Sequence, residues 1–162
     1  MTQKLTHDLA AITEFIWQEG DLLDAKEYKQ WLTLWADEGK YVIPIDPDET
    51  DFENTLNYAY DGAAMRDMRV RRLSSGQSIS AAHAAATVRT ISRFVRLDDD
   101  ADGNIVVRGA QNLTEYKFDR HRIYAANVTW TLKPEGSSFK IMEKIVRLIN
   151  STDALSGMTI LL

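Results

Sequence analysis

Cysteine is absent from all 162 residues. That removes disulfides, thiolate zinc sites, cysteine-held iron–sulfur clusters and cysteine nucleophiles together, and it suits a reducing cytoplasm. Basic charge is not in excess: 19 Lys and Arg stand against 24 Asp and Glu, a net charge of −5. A chain built to coat nucleic acid is usually basic. No apolar run reaches the ~18 residues of a membrane span. The opening MTQKLTHDLAAITEF carries acids within its apolar stretch, so no secretory signal is expected. P-loop, G-x-G-x-x-G and G-x-S-x-G fingerprints are also missing, which leaves nucleotide-fold and serine-hydrolase chemistry without local support. Histidine is scarce: His7, His83 and His121 are all there are. None stands in an H-x-x-x-H or H-E-x-x-H spacing, so a metal site would need ligands from three distant segments.

What remains has the makings of a fold. The length suits one domain, taken as residues 1–162, and 44% hydrophobic residues can build its core. Leu5, Leu9, Ile12 and Ile16 recur at helical spacing. Asp24 followed by Glu27 has the form of a capping box, leading a stripe of Tyr28, Trp31, Leu32 and Trp35 toward a stop at Gly39. KYVIPI and TLNYAY read as short strands around an acidic loop, DPDETDFEN. Asp61 is placed to cap a third helix over roughly 62–73, with Met65, Met68 and Leu73 partly inward. From Thr87 onward the period becomes two. TVRTISRFVRL puts Ile91, Val95 and Leu97 on one side and Val88 and Phe94 on the other. Three further strands follow, parted by DDDADG, DRH and KPEGS. Gly109, in mid-strand, marks a candidate bulge. Helices first and long antiparallel strands after predict an α+β fold with the helices on one sheet face.

Two clusters invite chemistry. DDDADG opens like an EF-hand, but the twelfth position is Gly109 rather than a bidentate acid, so an Asp-Gly hairpin turn is expected. AMRDMRVRRL gathers Arg66, Arg69, Arg71 and Arg72 on the third helix, with Arg89, Arg93, Arg96 and Arg108 on adjoining strands. Arg pairs bidentately and is favoured at interfaces, so this set reads either as a solvated face or as a docking surface. His83 with Asp24 or Tyr41 could form an acid–base pair in a pocket.

Three stretches, in this order, resemble the β (small) subunit of bacterial aromatic-ring-hydroxylating dioxygenases. They are EGDLLDAKEYKQWLTLWADEGKYVIP, YAYDGAAMRDMRVRRLSSG and KIVRLINSTDALSGMTILL. In the second, Tyr60, Asp61, Arg69, Val70, Leu73 and Gly76 hold matching places. The likeness covers nearly the whole chain. It departs at Arg93, where Asn is usual, and at Gly157–Met158, near the usual Asn-Leu.

The resemblance implies an NTF2-like cone, with N-terminal helices packed on a strongly curved, mainly antiparallel sheet. It implies assembly with a larger dioxygenase α subunit as α3β3, with a trimer of the small subunit as a further state. The Rieske [2Fe-2S] cluster and mononuclear Fe(II) are then expected in the α subunit, and no cofactor, metal ligand or catalytic residue in this chain. Arg66, Arg69, Arg72, Asp61 and Tyr60 become subunit-interface or structural residues. The chain would stabilise its catalytic partner in cytoplasmic aromatic catabolism, touching neither nucleic acid nor membrane. The alternative is a stand-alone NTF2-like isomerase, dehydratase or ligand-binding protein using Asp24, Tyr41 and His83. The similar isomerases place an acid just before the Pro that closes the first strand, and here that place is Ile43.

Overall fold

The computed structural model describes residues 8–75, 85–152 and 160–162. Helices α1 (Leu9–Asp24) and α2 (Tyr28–Thr33) come first. Strands β1 (Trp35–Pro44) and β2 (Asn57–Asp61), helix α3 (Ala63–Ser74) and four long strands follow: β3 (Ala86–Arg96), β4 (Ile105–Lys117), β5 (Arg120–Glu135) and β6 (Ser138–Leu148). They form one curved sheet in the order β2-β1-β6-β5-β4-β3. Every pairing is antiparallel except β1 with β6. The α+β class and helices-first order expected from the sequence are therefore present.

Helix α1 forms as its spacing predicts. Asp8 caps it by accepting a hydrogen bond from the Ala10 amide at 3.2 Å, and Ile12, Phe15, Ile16 and Leu23 are buried. The stripe after it behaves differently. Helix α2 stops at Thr33, and Trp35 already belongs to β1. The cause is tertiary: Ile141 donates to the Leu34 carbonyl at 2.8 Å and pairs with Trp35, and this long-range ladder overrides helical propensity. Gly39 is thus no helix stop. A Cβ there would lie 2.7 Å from the Ile141 carbonyl oxygen, so the strands can approach only at glycine. Asp24 caps nothing either: Glu27 precedes α2, without a side-chain cap. Asp61 does not cap α3; Gly62 holds the capping position.

The core sits between the helices and one sheet face. Trp31, Trp130, Tyr41, Ile12, Ile16, Leu113 and Leu132 are fully buried, at roughly 1.5–3 kcal/mol for each large side chain. Trp31, Trp35 and Tyr41 meet edge to face, with centroids 5.4–6.1 Å apart. Leu161 and Leu162 return to this core.

The bulge foreseen at Gly109 lies opposite it, on β3. Pairing shifts between Ser92 and Val95, and Arg93 takes a left-handed φ of 57°. A Cβ on Gly109 would come within 3.1 Å of the Ser92 carbonyl oxygen. The inserted residues reverse the alternation. Ile91 and Phe94 therefore pack inward, while Val88, Val95 and Leu97 are exposed, which corrects the simple alternation read from the sequence.

Candidate functional site

The arginine run divides by helix face. Residues 66, 70 and 73 recur at helical spacing, and Arg66 and Val70 are the buried residues of α3. Met65 and Met68, expected inward, are exposed instead. Arg66 reaches under β1, where its guanidinium donates to the carbonyls of Gly39, Asp61 (3.2 Å) and Ala36 (3.3 Å). It also lies over the Trp35 ring, 4.2 Å from the centroid. Burial lowers its pKa; Asp61 and Asp37 counter that shift without cancelling it. Arg69 forks onto the Asp61 carboxylate and reaches the Tyr58 carbonyl at 3.4 Å. The Asp61 hydrogen bond raises its pKa. Arg71 pairs with Asp67 on the exposed side at 2.8 Å. Arg72 is exposed, and so is Tyr60, whose ring lies 5.1 Å from the Lys40 ammonium. Arg69 and Arg72 do not share a face in use: one is tied inward, the other is open.

Asp24 and Tyr41 are each committed elsewhere. Asp24 ends α1 and accepts from the Thr87 hydroxyl (2.8 Å), the Arg89 amide (2.9 Å) and the Arg89 guanidinium. Arg89 also donates to the Leu161 carbonyl, which ties α1, β3 and the C-terminal residues into one knot. The Tyr41 hydroxyl accepts from the Leu162 amide at 2.9 Å. Burial pushes that phenol far above its ordinary pKa, more than the Leu162 hydrogen bond and nearby arginines can offset. A phenol so held is a poor proton donor near neutrality. A groove of about 410 Å³ beside α1 is lined by Asp24, Arg89 and Trp17, and Tyr41 is not among its walls. His83 and His7 lie outside the described residues. His121 is exposed, its ring 4.9 Å from that of Tyr116.

One buried pair was missed at sequence level. Glu19 and Lys144 face each other at 2.9 Å in the core. The Glu19 carboxylate also accepts from the indoles of Trp31 (2.9 Å) and Trp130 (3.1 Å). Burial lowers the Lys144 pKa, and Glu19 offsets part of that. Two indole donors complete the acid's lone pairs, which is what makes such a pair tolerable in the interior. The signal was present: Glu19 falls three after Ile16 and four before Leu23 on the apolar stripe of α1, and Lys144 alternates with the inward Val146 and Leu148.

DDDADG is a turn. Asp100 accepts from the Asp102 amide (2.9 Å), the Asn104 amide (2.8 Å) and the Asn104 side chain (2.9 Å), with Gly103 at φ 80°. Its own turn takes up the carboxylate that calcium would need. Among the described residues no three His, Cys, Asp or Glu side chains gather as a metal group. None of their helices is long and apolar enough to cross a membrane.

Known proteins agree with this architecture. An N,N-dimethyl phenylurea N-demethylase subunit beta from Sphingobium sp. (strain YBL2) is 22% identical over 154 residues, covering 91% of this chain and 88% of that protein. A biphenyl 2,3-dioxygenase subunit beta from Rhodococcus jostii (strain RHA1) is 26% identical over 152 residues, covering 87% and 81%. The crystal structure of the beta subunit of the benzoate 1,2-dioxygenase from Burkholderia mallei superposes with a TM-score of 0.79 at 24% identity, covering 96% of this chain and 99% of that one. An NTF2-like protein with a cystatin-like fold from Novosphingobium aromaticivorans shares the fold at a TM-score of 0.60 and 15% identity, covering 90% and 84%. The family model described as "Ring hydroxylating beta subunit" matches residues 18–153. From helices, sheet and sequence together, the chain belongs to the family of ring-hydroxylating beta subunits.

Proposed function

We propose that this chain is the small structural subunit of a Rieske-type aromatic-ring-hydroxylating dioxygenase, which binds and stabilises a catalytic α subunit in aromatic catabolism in the cytoplasm. The family match over residues 18–153 carries this reading. The interior supports it: Asp24 and Tyr41, two of the three residues a stand-alone NTF2-like enzyme was expected to use, are held by Arg89 and Leu162 as internal ties, and His83, the third, lies outside the described residues. The isomerase position before Pro44 is Ile43, a buried aliphatic residue with no proton to transfer.

In such a complex the α subunit's Rieske cluster would supply electrons and its mononuclear iron would supply oxygen activation. Both centres need thiolate or imidazole ligands, or a carboxylate beside imidazoles. This chain has no cysteine, and its described residues form no three-ligand cluster, so the reading assigns both centres to the α subunit. The chain's own residues keep one face of the assembly rigid. Arg66 and Arg69 brace α3 against β1 and β2 from within, while Arg72 and Tyr60 remain within a partner's reach. The stoichiometry proposed is α3β3. The relatives' names span N-demethylation and ring dioxygenation, so the substrate follows the α subunit and not this family.

The test is co-expression with the α subunit encoded beside it, recognised by its C-x-H and C-x-x-H Rieske spacings. Native mass measurement should find equimolar complexes with three of each chain, and the complex, supplied with an electron donor, should consume oxygen with an aromatic substrate. A chain that stays free of that α subunit and catalyses an isomerisation or dehydration alone would overturn the proposal.

A further inference from the structure

The described helices pack on one face of the sheet, and none of them covers the opposite face. On β3, β4 and β5 that open face carries small or hydroxylated residues, and it exposes Val88, Leu97 and Ile123. At its middle lies a depression of about 400 Å³ walled by Arg93, Arg108, Arg147, Asn127, Thr129 and Val95, among others. Three guanidiniums converge on it, and no carboxylate lines it. Arg93 donates to the Asn127 side chain at 3.2 Å. Arg147 is held by the Pro47 and Glu49 carbonyls at 2.7 and 2.8 Å and lies over the Phe52 ring, and its charge is felt by the half-buried Glu143 carboxylate on the same strand. Among the described residues, the Arg108 side chain has no hydrogen-bond or ion-pair partner. In a chain of net charge −5, a depression lined by three arginines and no carboxylate favours an anionic counterpart.

We infer that this depression is a docking site for a carboxylate-bearing segment of the α subunit, an inference that rests on the proposed function above. Arginine forks beside exposed aliphatic residues have the composition of an interface centre, and guanidinium pairs bidentately with carboxylate. A second copy of this chain fits less well. Placed face to face it would set arginines against arginines. Several of its loop acids are engaged at home: Asp46, Glu49, Asp51 and Asp100 accept hydrogen bonds from their own loops, and Asp99 pairs with Arg96.

The experiment immobilises the α subunit and titrates it with the wild-type chain, Arg108→Glu, Arg108→Gln and the control Arg71→Glu, at low and high salt. Arg108 is exposed and its side chain makes no bond to the described residues, so its variants should keep the wild-type melting profile. Arg108→Glu should weaken binding by ~30-fold or more, with Arg108→Gln between it and wild type. Arg71→Glu should stay within ~3-fold, and the salt dependence of the wild type should shrink in both Arg108 variants. Wild-type binding with unchanged affinity in Arg108→Glu would overturn the docking site and leave the proposed function standing. Failure of the wild-type chain itself to bind would overturn both. If Arg108→Glu abolished self-association of the lone chain and left α binding intact, a second copy would be the occupant and the inference would be wrong.

Discussion

Arg66 and Arg72 lie six positions apart on α3 and do opposite things. Arg66 is buried because three backbone carbonyls and the Trp35 face replace the water it gives up. Removing it leaves those carbonyls unmatched beneath β1. Arg66→Ala should therefore cost about 2–4 kcal/mol of unfolding free energy, read from urea midpoints. Arg72→Ala should cost only a few tenths, the ordinary range for an exposed side chain. Arg69→Ala should fall between them or beside Arg66→Ala, because it strands the buried Asp61 carboxylate. Equal losses at all three positions would contradict the division of the helix into faces.

Among the elements, β3 carries a left-handed residue at its bulge, and the turn after it is closed by several hydrogen bonds. Arg93 sits at φ 57°, a conformation an arginine reaches at some cost and an asparagine more readily. That is the position where the resemblance drawn from the sequence leads one to expect Asn. Arg93→Asn should raise the stability of the lone chain by about 0.5–1 kcal/mol, seen as a melting temperature a few degrees higher. No gain would mean that the bulge tolerates arginine without strain. In the following turn, burial by itself would raise the Asp100 pKa. The hydrogen bonds from Asn104, Asp102 and Gly103 together outweigh it and hold the carboxyl below its usual range. A depressed folded pKa means that the contribution is present above the ordinary carboxylate pKa and is lost as pH falls through the folded value. The melting gap between wild type and Asp100→Ala should thus be open at neutral pH and close below about pH 4. A gap that persisted in strong acid would show that the turn does not depend on the ionised carboxylate.

At the scale of the whole molecule, residues 160–162 are joined through the core to β1, β3 and the end of α1. Leu161 and Leu162 are buried, and their backbone groups are taken by Arg89 and Tyr41. Arg89 in turn grips Asp24 at the end of α1. Deleting residues 160–162 removes two core side chains and uncovers a buried phenol. The expected loss is about 3–6 kcal/mol, measured by urea denaturation of the full and shortened chains. Matching denaturation midpoints would show that the last residues cover the core without supporting it.

The order of helices and strands, the α+β class, the turn at DDDADG and the family were legible in the sequence alone. Each depends on local periodicity, turn chemistry or motif order, and those are written along the chain. Tertiary structure decided what depends on partners distant in sequence. Trp35 joined a strand because Ile141 offered it a ladder. Val95 and Leu97 turned outward because two residues at 93 and 94 shift the pairing against β4. Asp24 and Asp61, both read as helix caps, were drawn away by Arg89 and Arg69, whose full charges bind a carboxylate more strongly than a terminal amide does. Glu19 could be read as lying on an apolar stripe, but its partner Lys144 is 125 residues away. Only the packing of α1 on β6 brings the two together in a medium dry enough to require the pair.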